Sequence, residues 1–470
     1  MKNSKLMALL RTFSVAEWRM FRDMAASPYF NKQEELLRLC EYLKRESARD
    51  FPERKLSRER VFEAAFPGES YDTKQFHYLI SGLLKLAETF IGLQRFEQDG
   101  ILPDYYLLSA CVERRLEKSY RQAWQKAAEK LQISPLRNTP YYYQSYLLAE
   151  MEEQYFLSQN VRRFDPHLQQ AADSFDRFFL SRKLNFLCAM TDRQRSIPEP
   201  YQLTLLDEVS LYAGQSTWDD TPPIALYRQL LLALTETGQP AHFENFINLM
   251  QEKSAAFSPA EMRDLYYYAI NFCIHQIRLG EQRFAEILVS LYQQGLEDGY
   301  LLEDGKLSPW TFKNMVVLGL SLRRYDWVEG FVQTYSRRLP EDSRDDAYHF
   351  NLADLHYHKG EYRQAMEHLF KVAFSDIHYS IGAKAMLLKI YYENSETEAL
   401  LALLTSFKAF LHRNKLVSKA VKAPYLHFVT LLGELQKYGA DRAPALAEKI
   451  RATTTLANRS WLLEQVDKAK

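Results

Sequence analysis

The 470-residue chain predicts an all-α protein: an N-terminal helical module followed by an α-solenoid of antiparallel helical hairpins. Three observations carry that prediction. Glycine is scarce, at 16 residues, while Leu, Ala, Glu, Lys, Arg and Gln are abundant and β-branched runs are few; this is the composition of helices. Helix starts are marked by a capping residue before proline, at Thr139-Pro140, Asp165-Pro166, Thr221-Pro222, Ser258-Pro259 and Ser308-Pro309. There the side-chain oxygen can accept from an orphan amide, and the fixed φ of proline suits the first helical position. Residues 347–411 also read as two hairpins in one register, with Ala365 mapping onto Ala399 and Leu369 onto Leu403, both 34 residues on. That period is expected of stacked helix-turn-helix units, which build extended surfaces rather than pockets.

Residues 1–100 read as an N-terminal helical module, with a capping box at Ser14 and Glu17. Turn-rich joints at 27–31 (SPYFN) and 66–69 (FPGE) divide it, and Asp99-Gly100 to Pro103 ends it. Residues 101–257 form a helical middle region of irregular hairpins, broken at 196–200, 216–223 and 238–240. From 258 to 470 the hairpins become regular, opening on a capping box at Ser258 and Glu261. Helices are expected over 347–358, 362–374, 381–392 and 396–411, the last with a capping box at Ser395 and Glu398. Aligning one buried position per hairpin gives Ile287, Val328, Ala365 and Ala399, at spacings of 41, 37 and 34. The apolar stripes are wide, as in Ala399, Leu400, Leu403, Leu404, Phe407, Phe410 and Leu411, so each helix is expected to have neighbours on more than one side.

Ala353 in a first helix, Gly360 at the turn, Tyr362 after it and Ala365 in the second helix make residues 347–410 resemble tetratricopeptide-type repeats. Residues 262–346 resemble diverged ones. The second unit keeps Ala399 but has Asn394 at the turn and Leu387 for the small residue. SPYFN (27–31), DWVEGF (326–331) and KIYYE (389–393) further resemble an uncharacterised bacterial family of all-helical proteins, which implies no activity. The repeat resemblance implies a partner along the first helix of each hairpin, touching Phe350, Asp354 and Tyr357, then Lys384, Leu388 and Tyr391. Phe350 and Asp354 stand where some repeat proteins carry residues that clamp a terminal carboxylate, which argues against that mode here.

Motifs for catalysis are missing: no GxxxxGK[ST], GxGxxG, GxSxG, HExxH or ExxH occurs. His356 and His358 project about 200° apart on a helix and cannot share a metal; His349 and His356 can share a face. No cofactor or metal is expected. Tyrosine runs at 105–106, 141–143, 266–268 and 391–392 suit packing between helices, or a contact surface for a partner. The four cysteines are scattered and form no CxxC, as in a reducing compartment. The first apolar run stops at Arg11 and no stretch approaches a membrane span, so a cytoplasmic protein is expected.

Basic and acidic residues balance at 60 each, which sets up no global field towards nucleic acid or membrane. Residues 401–470 nevertheless hold 12 basic against 5 acidic residues, and 399–433 hold no acidic residue. Lys408, Arg413, Lys415, Lys419 and Lys422 form this patch. The expected function is a non-catalytic scaffold or adaptor that binds a protein or peptide on its concave face. The alternative is an RNA-associated repeat protein using 408–422. Self-association through the patch and the acidic middle region is a further possibility.

Overall fold

The computed structural model describes residues 3–159, 163–195, 200–236, 238–372, 377–414 and 418–469. Among them are 23 α-helices and one two-residue hairpin, Leu302–Glu303 paired with Lys306–Leu307. The protein is therefore all-α. It divides into two compact units, residues 1–185 with 207–225 and residues 186–206 with 226–470.

In the first unit, α1 (Lys5–Leu10), α2 (Val15–Ala26), α3 (Glu34–Ser47), α4 (Arg58–Ala65) and α5 (Thr73–Glu97) share one apolar core. Phe13, Trp18, Phe21 and Phe90 meet within it at ring separations of 5.4–6.2 Å. The expected capping box opens α2: Glu17 N donates to Ser14 Oγ at 3.2 Å, and Ser14 N donates to Glu17 Oε2 at 2.7 Å. A second core, around Leu108, Tyr120 and Met151, joins α6 (Leu102–Glu113), α7 (Glu117–Ile133) and α8 (Thr139–Ser158). The cap of α8 is Asn138 and not Thr139, accepting from Tyr141 N at 3.1 Å. The unit boundaries fall within α9 (Pro166–Gln194), α10 (Leu206–Tyr212) and α11 (Pro222–Thr235).

The second unit continues with α12 (Pro240–Glu252), α13 (Pro259–Arg278), α14 (Arg283–Glu297), α15 (Pro309–Ser321) and α16 (Tyr325–Tyr335). Then come α17 (Glu341–Lys359), α18 (Tyr362–Leu369), α19 (Ile377–Glu393) and α20 (Thr397–Arg413). It ends with α21 (Lys419–Tyr438), α22 (Ala443–Ala452) and α23 (Arg459–Lys468). The Ser258–Glu261 capping box is present at the start of α13. Helices pair as α13 with α14, α15 with α16, α17 with α18 and α19 with α20. First helices also meet one another, α15 against α17 and α17 against α19.

One turn recurs between paired helices. Arg115, Gly280, Arg323, Gly360 and Ser395 all lie at positive φ, between 56° and 99°. In each case the following amide donates to the carbonyl five residues back, at 2.8–3.0 Å. This Schellman-type closure satisfies the last carbonyls of the first helix and reverses the chain. At Arg115, Arg323 and Ser395 it does so without glycine, at about 1 kcal/mol each. Ser395 is thereby used to end α19. It makes no cap for α20, whose first residue is preceded by Glu396, so the expected Ser395–Glu398 capping box is not formed.

The turn also fixes the register of the helices it joins. Seven residues before it stand Leu108, Cys273, Val316, Ala353 and Leu388, all fully buried. Five residues after it stand Tyr120, Ala285, Val328, Ala365 and Leu400, each at most 4% exposed. The last two turns are therefore 35 residues apart, not 34. Ala365 corresponds to Leu400 and not Ala399, Leu369 to Leu404, and Gly360 to Ser395 and not Asn394. Ala353 corresponds to Leu388 and not Leu387, and Ile287 gives way to Ala285. The run ALLALL at 399–404 fits either spacing by its letters.

Gly319 sits four residues before the turn at Arg323, against the Val328 and Trp327 side chains of α16. A Cβ there would lie 2.4 Å from Val328 Cγ2 and 2.9 Å from the Trp327 ring. Gly319→Ala is expected to lose about 1–3 kcal/mol by overpacking, outweighing the helix-propensity gain. Urea unfolding checks this; an unchanged or raised midpoint would contradict it.

Candidate partner-binding groove

The end of α18 together with α19 and α20 forms an apolar groove of about 560 Å³. Leu369, Phe370 and Val372 wall it from the end of α18. Ser380, Ala383, Lys384, Leu387 and Tyr391 line it from α19, and Ala399, Ala402, Leu403 and Ser406 from α20. Alanines at 383, 399 and 402 leave the space that larger residues would fill. Because Leu400 and Leu404 turn into the core, their neighbours Ala399 and Leu403 face the groove. Phe370 is 68% exposed at its edge. The buried Ser380 hydroxyl has no hydrogen-bond partner among the described residues. Burial holds the Lys384 ammonium below the usual lysine range, and its Nζ lies 5.4 Å from the centre of the Phe410 ring. Burial, with Glu396 nearby, pushes the Tyr391 phenol up.

Of the six partner-binding residues expected from sequence, only Lys384 and Tyr391 line this groove. Phe350 is buried, its ring 5.4 Å from Tyr379 and against Gly382 of α19. Leu388 is fully buried at the hairpin core, so neither residue is presented to a partner. For Leu388 the reason is the register: a slip from 35 to 34 turns each residue of the second hairpin by about 100° around its helix; Phe350 is buried because α17 packs on α19 at Gly382.

Asp354 and Tyr357 belong to an internal polar network. Tyr357 donates to Glu393 Oε1 at 2.7 Å, Tyr362 hydrogen-bonds the same carboxylate, and Trp461 Nε1 of α23 also donates to it. The bond to Glu393, then burial, pushes the Tyr362 hydroxyl up to about 12. Burial and the same carboxylate raise Tyr357 further. Lys389 sits 4.1 Å over the Tyr357 ring, its ammonium pushed down by burial against the pull of Asp354, Glu393 and Glu464. Asp354 in turn binds His358 and raises its imidazole.

His349 and His356 do share a face, and a third imidazole, His368 of α18, joins them. His349 Nδ1 and His368 Nδ1 are 3.0 Å apart, and His356 stacks on His368 at 5.5 Å. Desolvation leads in lowering both His349 and His368. Among the described residues no set of three or more His, Cys, Asp or Glu is arranged to hold a metal.

The structure describes the side chains of three of the five residues of the basic patch. Lys408 and Arg413 are exposed on α20. Lys422 Nζ instead donates to the Asn414 carbonyl, closing the end of α20 where the helix dipole favours a cation. Lys415 and the side chain of Lys419 lie outside the described residues.

The Glu393 network escaped sequence reading because it joins residues up to 68 positions apart, and the groove because it depends on the register between adjacent helices. Only the small residues at 399 and 402 signalled the groove. No described helix is long and apolar enough to cross a membrane. No protein-family model, curated protein or solved structure matches the chain.

Proposed function

We propose that the hairpins of the second unit stack as a tetratricopeptide-like solenoid and serve as a non-catalytic scaffold. Its groove between α18, α19 and α20 receives an apolar helical segment of a partner protein. The apolar groove beside the exposed Phe370 is the observation that supports this. A helix laid in such a groove buries side chains at i, i+3 and i+4, and a rigid aromatic at the edge is a typical hot spot. The four cysteines are buried, unpaired thiols, which suits a reducing compartment, so the reading includes the cytoplasm. Lys422 is already used within the fold, so the RNA-binding alternative draws no support from this residue.

A photo-crosslinking p-benzoylphenylalanine at position 370 is expected to capture a partner in the native cell. Leu403→Asp, which puts a charge into the groove, is expected to cut that yield at least tenfold with helical circular dichroism unchanged. A crosslink that persists undiminished in Leu403→Asp would rule the groove out.

A further inference from the structure

The end of α16, the turn after it and the start of α17 enclose a second cavity of about 440 Å³. Its character is opposite to that of the groove. It is lined by Gln333, Ser336, Arg337, Arg344, Asp345 and Tyr348. Arg344 is held in place by Nη2, which donates to the Leu339 carbonyl at 3.2 Å. Its Nε is buried and, among the described residues, has no hydrogen-bond partner. A buried charged donor left unpaired is costly, so the site lacks an acceptor. Arg337 is exposed, and among the described residues it forms no ion pair. Against two guanidinium groups stands one carboxylate, the exposed Asp345, whose charge also reaches His349.

We infer that this cavity binds a phosphomonoester. Two arginine forks and the Gln333, Ser336 and Tyr348 donors outnumber what a carboxylate can satisfy, while a phosphate offers three terminal oxygens. The volume is that of a small-molecule site, so it has room for an organic group beside the phosphate. The inference is independent of the groove.

Titration calorimetry of the full chain at low salt, with phenyl phosphate, benzoate, O-phosphotyrosine and AMP, tests it. Phenyl phosphate is expected to bind saturably at one site and benzoate at least tenfold more weakly. Arg337→Ala, an exposed position without structural partners, is expected to weaken phenyl phosphate about 10–100-fold. Arg344→Lys keeps the charge and loses the fork, and should also weaken it. Asp345→Asn should tighten binding several-fold by removing the like charge. Opposite signs at 337 and 345 would support a built anion site. Unsaturable binding, equal affinity for benzoate, or an Arg337→Ala variant that binds as well as the parent would overturn it. If phosphotyrosine outbinds AMP, the ligand is a phosphorylated side chain; the reverse order identifies a nucleotide.

Discussion

The Glu393→Ala variant is expected to be less stable by about 3–5 kcal/mol, the largest single-residue effect at the end of the second unit. One carboxylate accepts from Tyr357, Tyr362 and Trp461, which come from three different helices or turns. A hydrogen bond to a charged acceptor contributes roughly 1.5–3 kcal/mol, and removing the acceptor strands every donor that used it. Trp461 is also the anchor of α23, packing edge-on against Tyr392 at 5.7 Å and against Phe428 at 6.1 Å. The loss should therefore appear both in the urea midpoint and in the near-ultraviolet dichroism of Trp461. Glu393→Gln retains an acceptor oxygen and is expected to lose only about 1–2 kcal/mol. Equal losses in the two variants would show that the carboxylate acts through packing and not as a shared acceptor.

Leu388→Ala should cost about 2–5 kcal/mol, the range for a fully buried leucine whose cavity cannot collapse. Ala399→Ser should stay within about 0.5 kcal/mol, since Ala399 faces the groove. This contrast reads the register directly. In a 34-residue repeat Leu388 would present itself to a partner and Ala399 would stand in the core. Equilibrium denaturation separates the two; a harmless Leu388→Ala with a damaging Ala399→Ser would restore the shorter period.

The helical class and much of its punctuation were legible in the sequence. Ser14 with Glu17 and Ser258 with Glu261 form the boxes their spacing predicts, because a capping box is a contact over three residues. The hairpin at Gly360 was equally visible, since glycine advertises a left-handed turn. The same turn at Arg115, Arg323 and Ser395 was not, because no local preference marks those residues for positive φ. The tertiary packing of the paired helices imposes it. With the turn at Ser395 hidden, letter identity aligned Ala365 with Ala399 and placed Leu388, a core residue, among the expected contacts. The bond of Lys422 was hidden for a related reason: its partner, the Asn414 carbonyl, is offered by the previous helix.

The pairing of each hairpin with its neighbours in sequence has a kinetic consequence. Contacts between α15 and α17, or α17 and α19, close loops of a few tens of residues, so ordering each new hairpin costs little chain entropy beyond the last. On the proposed stacking such an array would open by fraying, one hairpin at a time, and the amides of different hairpins would exchange with solvent at different rates. The Trp461–Glu393 bond lies at the C-terminal end of that series and acts as its latch.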